Sequence, residues 1–314
     1  MSAGTVVLFL AVALDLLLGD PQRWPHPVRG MGWLIRLGER WTRGAISSSR
    51  WAGVVTAAFV MAVCGGVAFA LVEGAQRLHP TAGAVVSVLI IYSCLGARDL
   101  SDHAVRVRRR LAEQDLEGAR QAVGMMVSRD TGELDAGNVS RGAIESVAEN
   151  LVDGAIAPLL FAGLFGPVGA VVFKAVSTMD SMIGKRDERY RECGTFAARL
   201  DDVLNFIPAR LGYLLIAVAA PLVRLNSGAA LRIGWRDRKK HDSPNSAWSE
   251  AAFAGALGVK LGGVDSYGGE PKPHPLLGDG CGPSVTHLTS AIRLMWVSYV
   301  LAFALVAAFS FARP

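Results

Sequence analysis

Residues 141–173 read RGAIESVAENLVDGAIAPLLFAGLFGPVGAVVF, an acidic run followed directly by an apolar segment. The acidic run ends at Asp153, and the apolar segment extends from Gly154 to Phe173. The sequence therefore places three carboxylates at the edge of a membrane-like segment, where unpaired charges are costly and are often functional.

The acidic run has two different faces if it is helical. Arg141, Glu145, Glu149 and Asp153 are four residues apart and drift along one face, while the opposite face is apolar. Like charges at this spacing repel one another, so the pattern predicts a compensating cation, a basic partner or a metal ion. A solvated polar face explains the spacing alone equally well.

The composition is typical of a membrane protein. The chain has 314 residues, of which 51% are hydrophobic and 19% are charged, against about 25% charged residues in soluble domains. Mean hydropathy is +0.34. Apolar segments, most of them near the roughly 17–25 residues that cross a bilayer, lie at residues 4–18, 52–72, 82–97, 154–173, 207–223 and 291–311.

The first apolar segment, 4–18, is short and contains Asp15. It lacks a basic leader and a small-residue cleavage site, so an uncleaved first span is expected, with a buried helix as the alternative. The 154–173 segment carries Gly163, Gly166 and Pro167, the composition of a broken helix. A re-entrant hairpin and a full span both fit this segment, and the same two alternatives hold for 207–223.

The positive net charge of +5 does not indicate nucleic acid, because the basic residues are spread among loops. Arginines fill the first and third loops, which the positive-inside rule assigns to the cytoplasm. The four cysteines have no C-x-x-C spacing, which argues against a zinc site and a disulfide framework. We predict an all-α polytopic membrane protein with four to six segments. It would form one integral-membrane domain with a cytoplasmic helical insert at 98–153 and cytoplasmic loops at 19–51, 174–206 and 224–290.

Polar clusters border the apolar segments at residues 19–30, 128–131, 174–205 and 241–250. None contains a P-loop, since Gly184-Lys185 lacks the upstream glycine and the hydroxyl residue. The carboxylates are suited to Mg²⁺, and the lysines and arginines to phosphoryl charge. Residue types alone therefore predict magnesium chemistry on a phosphorylated substrate.

Several motifs in chain order resemble the adenosylcobinamide-phosphate synthase family of cobalamin biosynthesis. They cover nearly the whole chain and are GDPQRWPHPVR at 19–29, VSRDT at 127–131, IESVAENLVDG at 144–154, DSMIG at 180–184, ARLDDVLNFIPARL at 198–211, SPNS at 243–246 and GALGVKLGG at 255–263. Ala247 and Ser249 stand where Gly and Pro are expected, which puts only the local geometry of that loop in doubt.

The resemblance implies an integral-membrane, ATP-dependent acid–amine ligase of the bacterial inner membrane, with its site on the cytoplasmic side. It would join aminopropanol or its O-phosphate to the propionate carboxylate of adenosylcobyric acid through an acyl phosphate. Mg²⁺ and ATP would be required, and no protein-bound cobalt is expected because cobalt belongs to the corrinoid. The expected partners are these substrates, the lipid bilayer and other late corrinoid-pathway enzymes, with no nucleic acid.

Residue roles are hypotheses added to this resemblance. The catalytic candidates are Lys174, Glu145 and Glu149. Substrate would contact His26, Arg29, Arg129, Asp130, Arg186 and Asn245. Metal would be held among Glu149, Asp153, Asp180, Asp201 and Asp202. Two other functions stay open: a corrinoid transporter or pathway scaffold, and a Mg²⁺-dependent membrane transferase acting on prenyl diphosphates.

Overall fold

The computed structural model describes residues 3–20, 27–46, 49–184 and 192–312. The described chain is mostly helical, as predicted, and forms two compact units. The first comprises Met1–Gly96, Ala157–Asn205 and Leu305–Pro314. The second comprises Ala97–Ile156 and Phe206–Ala304. The expectation of one integral-membrane domain stays a prediction.

The first unit contains six helices, with α3 and α8 packed against most of the others. They are α1 (Ala3–Leu18), α2 (Pro27–Ala45), α3 (Ser49–Leu78), α4 (Pro80–Tyr92), α8 (Ala157–Ile183) and α9 (Thr195–Leu204). Its core is apolar and includes Leu8, Ile35, Val60, Phe173 and Met179, each at most 2% exposed. Residues 305–312, the end of the last helix of the chain, also belong to this unit.

The second unit contains the remaining helices and the only sheet found in the described residues. Its helices are α5 (Ala97–Ala112), α6 (Leu116–Gly124), α7 (Ala136–Asn150), α10 (Phe206–Ala219), α11 (Ser227–Asp237), α12 (Ser246–Leu257) and α13 (Val285–Ala312). A π-helical turn, Leu151–Ile156, follows α7, and a 3-10 turn, Ala220–Val223, follows α10. Every residue of α12 is buried, so this helix forms the centre of the unit.

Five helical stretches are long and apolar enough to cross a membrane, which confirms the multi-pass prediction by length and composition. They are Arg50–Leu78, Pro80–Ala112, Ala136–Ile183, Phe206–Val223 and Val285–Ala312. The helix Ala3–Leu18 is apolar but shorter. Five of the six predicted segments therefore correspond to a candidate span, and 4–18 corresponds to the short helix.

The broken helix predicted within 154–173 is present. Gly166 in α8 has φ 68° and ψ −161°, a conformation that favours glycine, and Pro167 follows it. The interruption needs both residues, because proline cannot donate the helical hydrogen bond and disfavours a helical residue before it. Whether the segment spans or re-enters stays a prediction.

The helical insert predicted at 98–153 begins with a small helical hairpin around Asp115. Helices α5 and α6 meet there, and Asp115 Oδ1 accepts a hydrogen bond from the Gly118 amide at 2.9 Å. An aspartate at this position satisfies an amide that would otherwise lack a partner at the start of α6.

The segment predicted as the loop 224–290 is far more ordered than the sequence suggested. It contains α11, α12 and an antiparallel hairpin of β1 (Leu261–Tyr267) and β2 (Glu270–Leu277). The strands carry five glycines and prolines that hid any alternating pattern, so the sequence showed no clear strand signal. This hairpin forms one wall of the candidate site.

Candidate functional site

A polar cavity of about 200 Å³ lies in the second unit. Its walls come from the loop after α6, from α7, from α12 with the loop before it, and from the β-hairpin. The lining residues are Met126, Val127, Ser128, Arg129, Glu145, Ser146, Glu149, His241, Glu250, Gly262, Asp265, Tyr267, His274, Pro275 and Leu277. It is smaller than the roughly 300–1,000 Å³ of pockets that take drug-sized ligands, so it fits a small molecule or one end of a larger one.

The acidic face of α7 is buried rather than solvated. Residues 139–148 are all buried, and Glu145 is only 8% exposed. The predicted compensating cations are Arg129 and Arg141. The Arg129 guanidinium donates to Glu145 Oε2 and, at 2.7 Å, to Asp265 Oδ1. Arg141 donates to the same Asp265 oxygen at 2.6 Å. Two cations and two anions thus form one buried network with no net charge.

This network joins the β-hairpin to α7. The Gly262 amide donates to Glu145 Oε1 at 2.7 Å, and Arg141 Nη1 donates to the Gly262 carbonyl at 2.6 Å. Each carboxylate oxygen of Glu145 therefore has a donor. Glu145, a catalytic candidate, is held in place by this wall and is fully engaged in it.

Glu149 and Glu250 also line the cavity. Glu149 accepts a hydrogen bond from Ser246 Oγ at 2.9 Å. Glu250 on α12 is 8% exposed and forms no hydrogen bond or ion pair within the described part of the chain. Burial raises the pKa of Glu250 well above its usual value, and the charges of Glu149, Glu145 and Asp153 raise it further, against the opposing effect of Arg129.

The SPNS motif shapes the turn before α12. Ser243 Oγ accepts from the amides of Asn245 and Ser246 at 3.2 Å and 3.4 Å. Asn245 Oδ1 accepts from Arg210 at 2.6 Å, so its side chain anchors α10 to this turn. His241 Nδ1 accepts from the Ser243 amide at 3.0 Å, which places the proton of a neutral ring on Nε2.

The hairpin supplies a second imidazole and an aromatic ring. Tyr267 Oη lies 3.3 Å from His274 Nε2. Burial lowers the pKa of His274 and outweighs the opposing effect of Asp265, so this ring is neutral near pH 7. Burial likewise raises the pKa of Tyr267. The cavity therefore offers neutral hydrogen-bonding groups beside its carboxyls.

Asp130, a predicted substrate contact, holds the turn of the hairpin. Its Oδ2 accepts from Ser266 Oγ and from the Gly269 amide, both at 2.8 Å. The hydrogen bonds from Gly269, Ser266 and Gly268 lower the pKa of this carboxyl. Its role as a substrate contact stays a prediction.

The other predicted site residues are distributed over both units. Asp153 lies in the π-helical turn of the second unit, and Asn245 lies at the start of α12. The first unit holds Arg29 on α2, Lys174 and Asp180 on α8, and Asp201 and Asp202 on α9. At the end of α9, Asp201 Oδ2 accepts a hydrogen bond from Asn205 Nδ2 at 3.0 Å. His26 and Arg186 lie outside the described residues.

The described residues contain no group of three or more His, Cys, Asp or Glu side chains placed to hold a metal ion. The four cysteines, all within the described residues, form no disulfide, and Cys281 is the exposed one. Magnesium nevertheless commonly uses one or two carboxylates together with substrate phosphates. The carboxylates of both units therefore have the right chemistry, and the predicted ligand set is left as a prediction.

Sequence reasoning missed Glu250, Asp265 and His274. Glu250 closes the 241–250 polar cluster, but a single glutamate in an Ala-rich helix gave no sign of burial. Asp265 and His274 lie in a segment that resembled a glycine-rich loop. A hydrophobic run around Glu250, with no polar residue on any face from Ala251 to Leu257, was the one available signal that it enters a core.

Comparison with known proteins assigns the chain to a family. Residues 8–295 match the family described as CobD/Cbib protein. The "Cobalamin biosynthesis protein CbiB" of Salmonella typhi is 47% identical over 300 residues, covering 94% of both chains. The "Cobalamin biosynthesis protein CobD" of Citrobacter koseri is 46% identical and that of Klebsiella pneumoniae 45% identical, each over 94% of both chains.

No solved structure matches the chain significantly. The sequence relatives nevertheless cover both units, the buried network and the cavity, since the matched range runs from α1 into α13. The chain therefore belongs to the CobD/CbiB family of cobalamin biosynthesis proteins.

Proposed function

We propose that the protein is an ATP-dependent acid–amine ligase of cobalamin biosynthesis. It joins aminopropanol or its O-phosphate to the propionate carboxylate of adenosylcobyric acid and gives adenosylcobinamide or adenosylcobinamide phosphate. Family membership supports the pathway. The observation that carries the reaction class is the cavity beside α7, which combines buried carboxyls, two imidazoles and apolar side chains in a space of the size of a small amine.

The reaction needs activation of the carboxylate, because a carboxylate does not accept an amine at neutral pH. A propionate oxygen attacks the γ-phosphorus of ATP, ADP leaves, and an acyl phosphate forms. The amine nitrogen then attacks the acyl carbon, loses a proton and expels inorganic phosphate. The protein must therefore position the amine next to the activated propionate. Because the corrinoid ring is far too large for the cavity, only its propionate arm would enter the cavity and reach the amine.

The residues for phosphate and metal remain those predicted from the sequence. Lys174 would stabilise the transferring phosphoryl group, and Arg129 with Arg186 would bind phosphate oxygens. In the structure Arg129 is already engaged by two carboxylates, so a contact with phosphate would be shared with that network. Magnesium, when bound by carboxylates such as Asp153 or Asp180, neutralises phosphate charge.

We place the protein in the bacterial inner membrane with its site on the cytoplasmic side. The candidate spans and the arginine-rich loops support this orientation. ATP and the corrinoid substrate are cytoplasmic solutes in this scheme. Contacts with other late corrinoid-pathway enzymes would explain why a soluble substrate is handled at the membrane.

The test is an assay of purified, detergent-solubilised protein with adenosylcobyric acid, ATP, Mg²⁺ and either amine, followed by mass spectrometry of the corrinoid. Amide product that requires ATP, with release of ADP and phosphate, is expected. Corrinoid binding without amide formation would point to a transporter or scaffold. Release of diphosphate from a prenyl diphosphate without ATP would point to a transferase. Either result would refute the ligase.

A further inference from the structure

The charged groups at the cavity wall form two sets, one paired within the protein and one that is not. In the first set Arg129 and Arg141 are paired with Glu145 and Asp265. In the second set Glu149 has a single hydrogen bond within the described residues, from a neutral serine. Glu250 has no hydrogen bond or ion pair anywhere in the described residues although it is only 8% exposed.

We propose that Glu149 and Glu250 form the subsite that binds the ammonium group of the amine substrate. The inference rests on the proposed function and names the subsite for one of its substrates. The carboxyl of Glu250, which is buried, lines a cavity of about 200 Å³ and has no partner in the described residues, is the observation that points to a cationic ligand.

An organic ammonium fits the surroundings of Glu149 and Glu250 better than a metal ion does. Met126, Val127 and Leu277 line the same space and would pack against the carbon chain of a small amine. A bare cation would leave these apolar surfaces without a partner.

The opposite end of the amine also has a suitable partner. His241 lines the cavity, and its Nδ1 accepts from the Ser243 amide, so Nε2 carries the ring proton and can donate. The hydroxyl or phosphate oxygen of the substrate would accept this hydrogen bond. An ammonium at one end and an oxygen at the other define the amino alcohol class.

The electrostatic surroundings agree with this assignment. Three carboxylates face Glu250, from α7 and the π-helical turn, and Arg129 is the cation that opposes them. Like charges this close repel one another unless a counter-ion lies among them. An ammonium between Glu149 and Glu250 would relieve this repulsion.

The experiment compares an amine with its neutral analogue on the full-length solubilised protein. Thermal unfolding is measured with aminopropanol and with propane-1,2-diol, which has a neutral hydroxyl in place of the amino group, for wild type, Glu250→Gln, Glu149→Gln and Glu250→Asp. Wild type should bind the amine about 10-fold to 100-fold more tightly than the diol, the range of a charged hydrogen bond. Glu250→Gln should lose this preference, and Glu250→Asp should keep part of it.

Glu133→Gln is the matched control, because Glu133 is exposed and does not line the cavity. Stabilisation by Mg²⁺ alone that Glu250→Gln abolishes, or an unchanged amine preference in that variant, would overturn the inference. Steady-state kinetics distinguish a failure of the amine subsite from a failure of the proposed ligase function. With an active ligase, Glu250→Gln should raise the KM for the amine at least tenfold and leave the KM for ATP unchanged. With no ligase activity but a Glu250-dependent amine preference, the subsite stands and the ligase fails.

Discussion

Replacing Asp265 tests whether the buried network holds the hairpin against α7. Its carboxylate is 5% exposed and accepts from Arg129 and Arg141 at 2.7 Å and 2.6 Å, both on Oδ1. Hydrogen bonds to charged groups contribute about 1.5–3 kcal/mol each and neutral ones about 0.5–1.5 kcal/mol. Asp265→Asn keeps an oxygen at the same place but removes the charge, so the two bonds together should weaken by about 2–3 kcal/mol.

Asp265→Ala should cost more than Asp265→Asn. It removes both acceptors and leaves two guanidinium groups facing Glu145 alone. Breaking a buried ion pair by deleting one partner costs about 3–5 kcal/mol because the remaining charge has no compensation. The predicted order of stability is therefore wild type, then Asp265→Asn, then Asp265→Ala.

Hydrogen exchange of the Gly262 amide is the direct assay. This amide donates to Glu145 at 2.7 Å, so it exchanges only when the hairpin separates from α7. A loss of 2–3 kcal/mol in Asp265→Asn should accelerate exchange about 30-fold to 150-fold. Glu270→Gln, on the same hairpin but exposed, is the control and should leave exchange unchanged. Exchange rates within threefold of wild type in both Asp265 variants would refute the network's structural role.

Three further changes give distinct stability effects, each measured by thermal unfolding in detergent. Asp237 accepts from two half-exposed cations, Arg236 and Lys240, and from the Gly278 amide, and these contacts lower the pKa of its carboxyl despite its burial. Asp237→Asn should reduce the free energy of unfolding by about 2–3 kcal/mol above pH 4, and by progressively less as the pH falls below 4. Glu250→Gln should raise the melting temperature, increasingly so from pH 5 to pH 8, since a carboxyl with a raised pKa loses its stabilising effect as pH rises; a variant less stable than wild type at pH 8 would contradict this. Gly255→Ala should destabilise by about 1–3 kcal/mol, because the added Cβ would lie 2.4 Å from the Ala229 carbonyl oxygen; equal melting temperatures would show that α11 and α12 can separate.

Most of the helical architecture could be predicted because apolar length and capping are local properties. The Gly166-Pro167 break and the Asp115 cap both follow from residue chemistry at single positions. The β-hairpin could not be predicted this way. Its pairing of Gly263 with His274 depends on a partner strand and on contacts with α7, neither of which leaves a pattern within the segment.

The candidate site was predicted in part for the same reason. The acidic spacing of Glu145 and Glu149 required a counter-charge, and the structure supplies it to Glu145 through Arg129. The sequence alone could not identify this cation as Arg129. Arg129 lies in a loop 16 residues before Glu145, and it also pairs with Asp265, which is 136 residues further along the chain. Glu250 was missed because burial of a single carboxyl is a property of packing.

The contrast between Glu145 and Glu250 distinguishes a carboxyl that stabilises the fold from one that is available to a ligand. Glu145 has a donor on each oxygen, so its ionised form is stabilised by the fold itself. Glu250 has none in the described residues, so its ionised form is destabilised by the same fold. A cation from outside the fold would stabilise the ionised form of such a group. If the Glu250→Gln variant is more stable and also loses its preference for an amine, both observations have one cause: the carboxyl is retained for a ligand at the expense of stability.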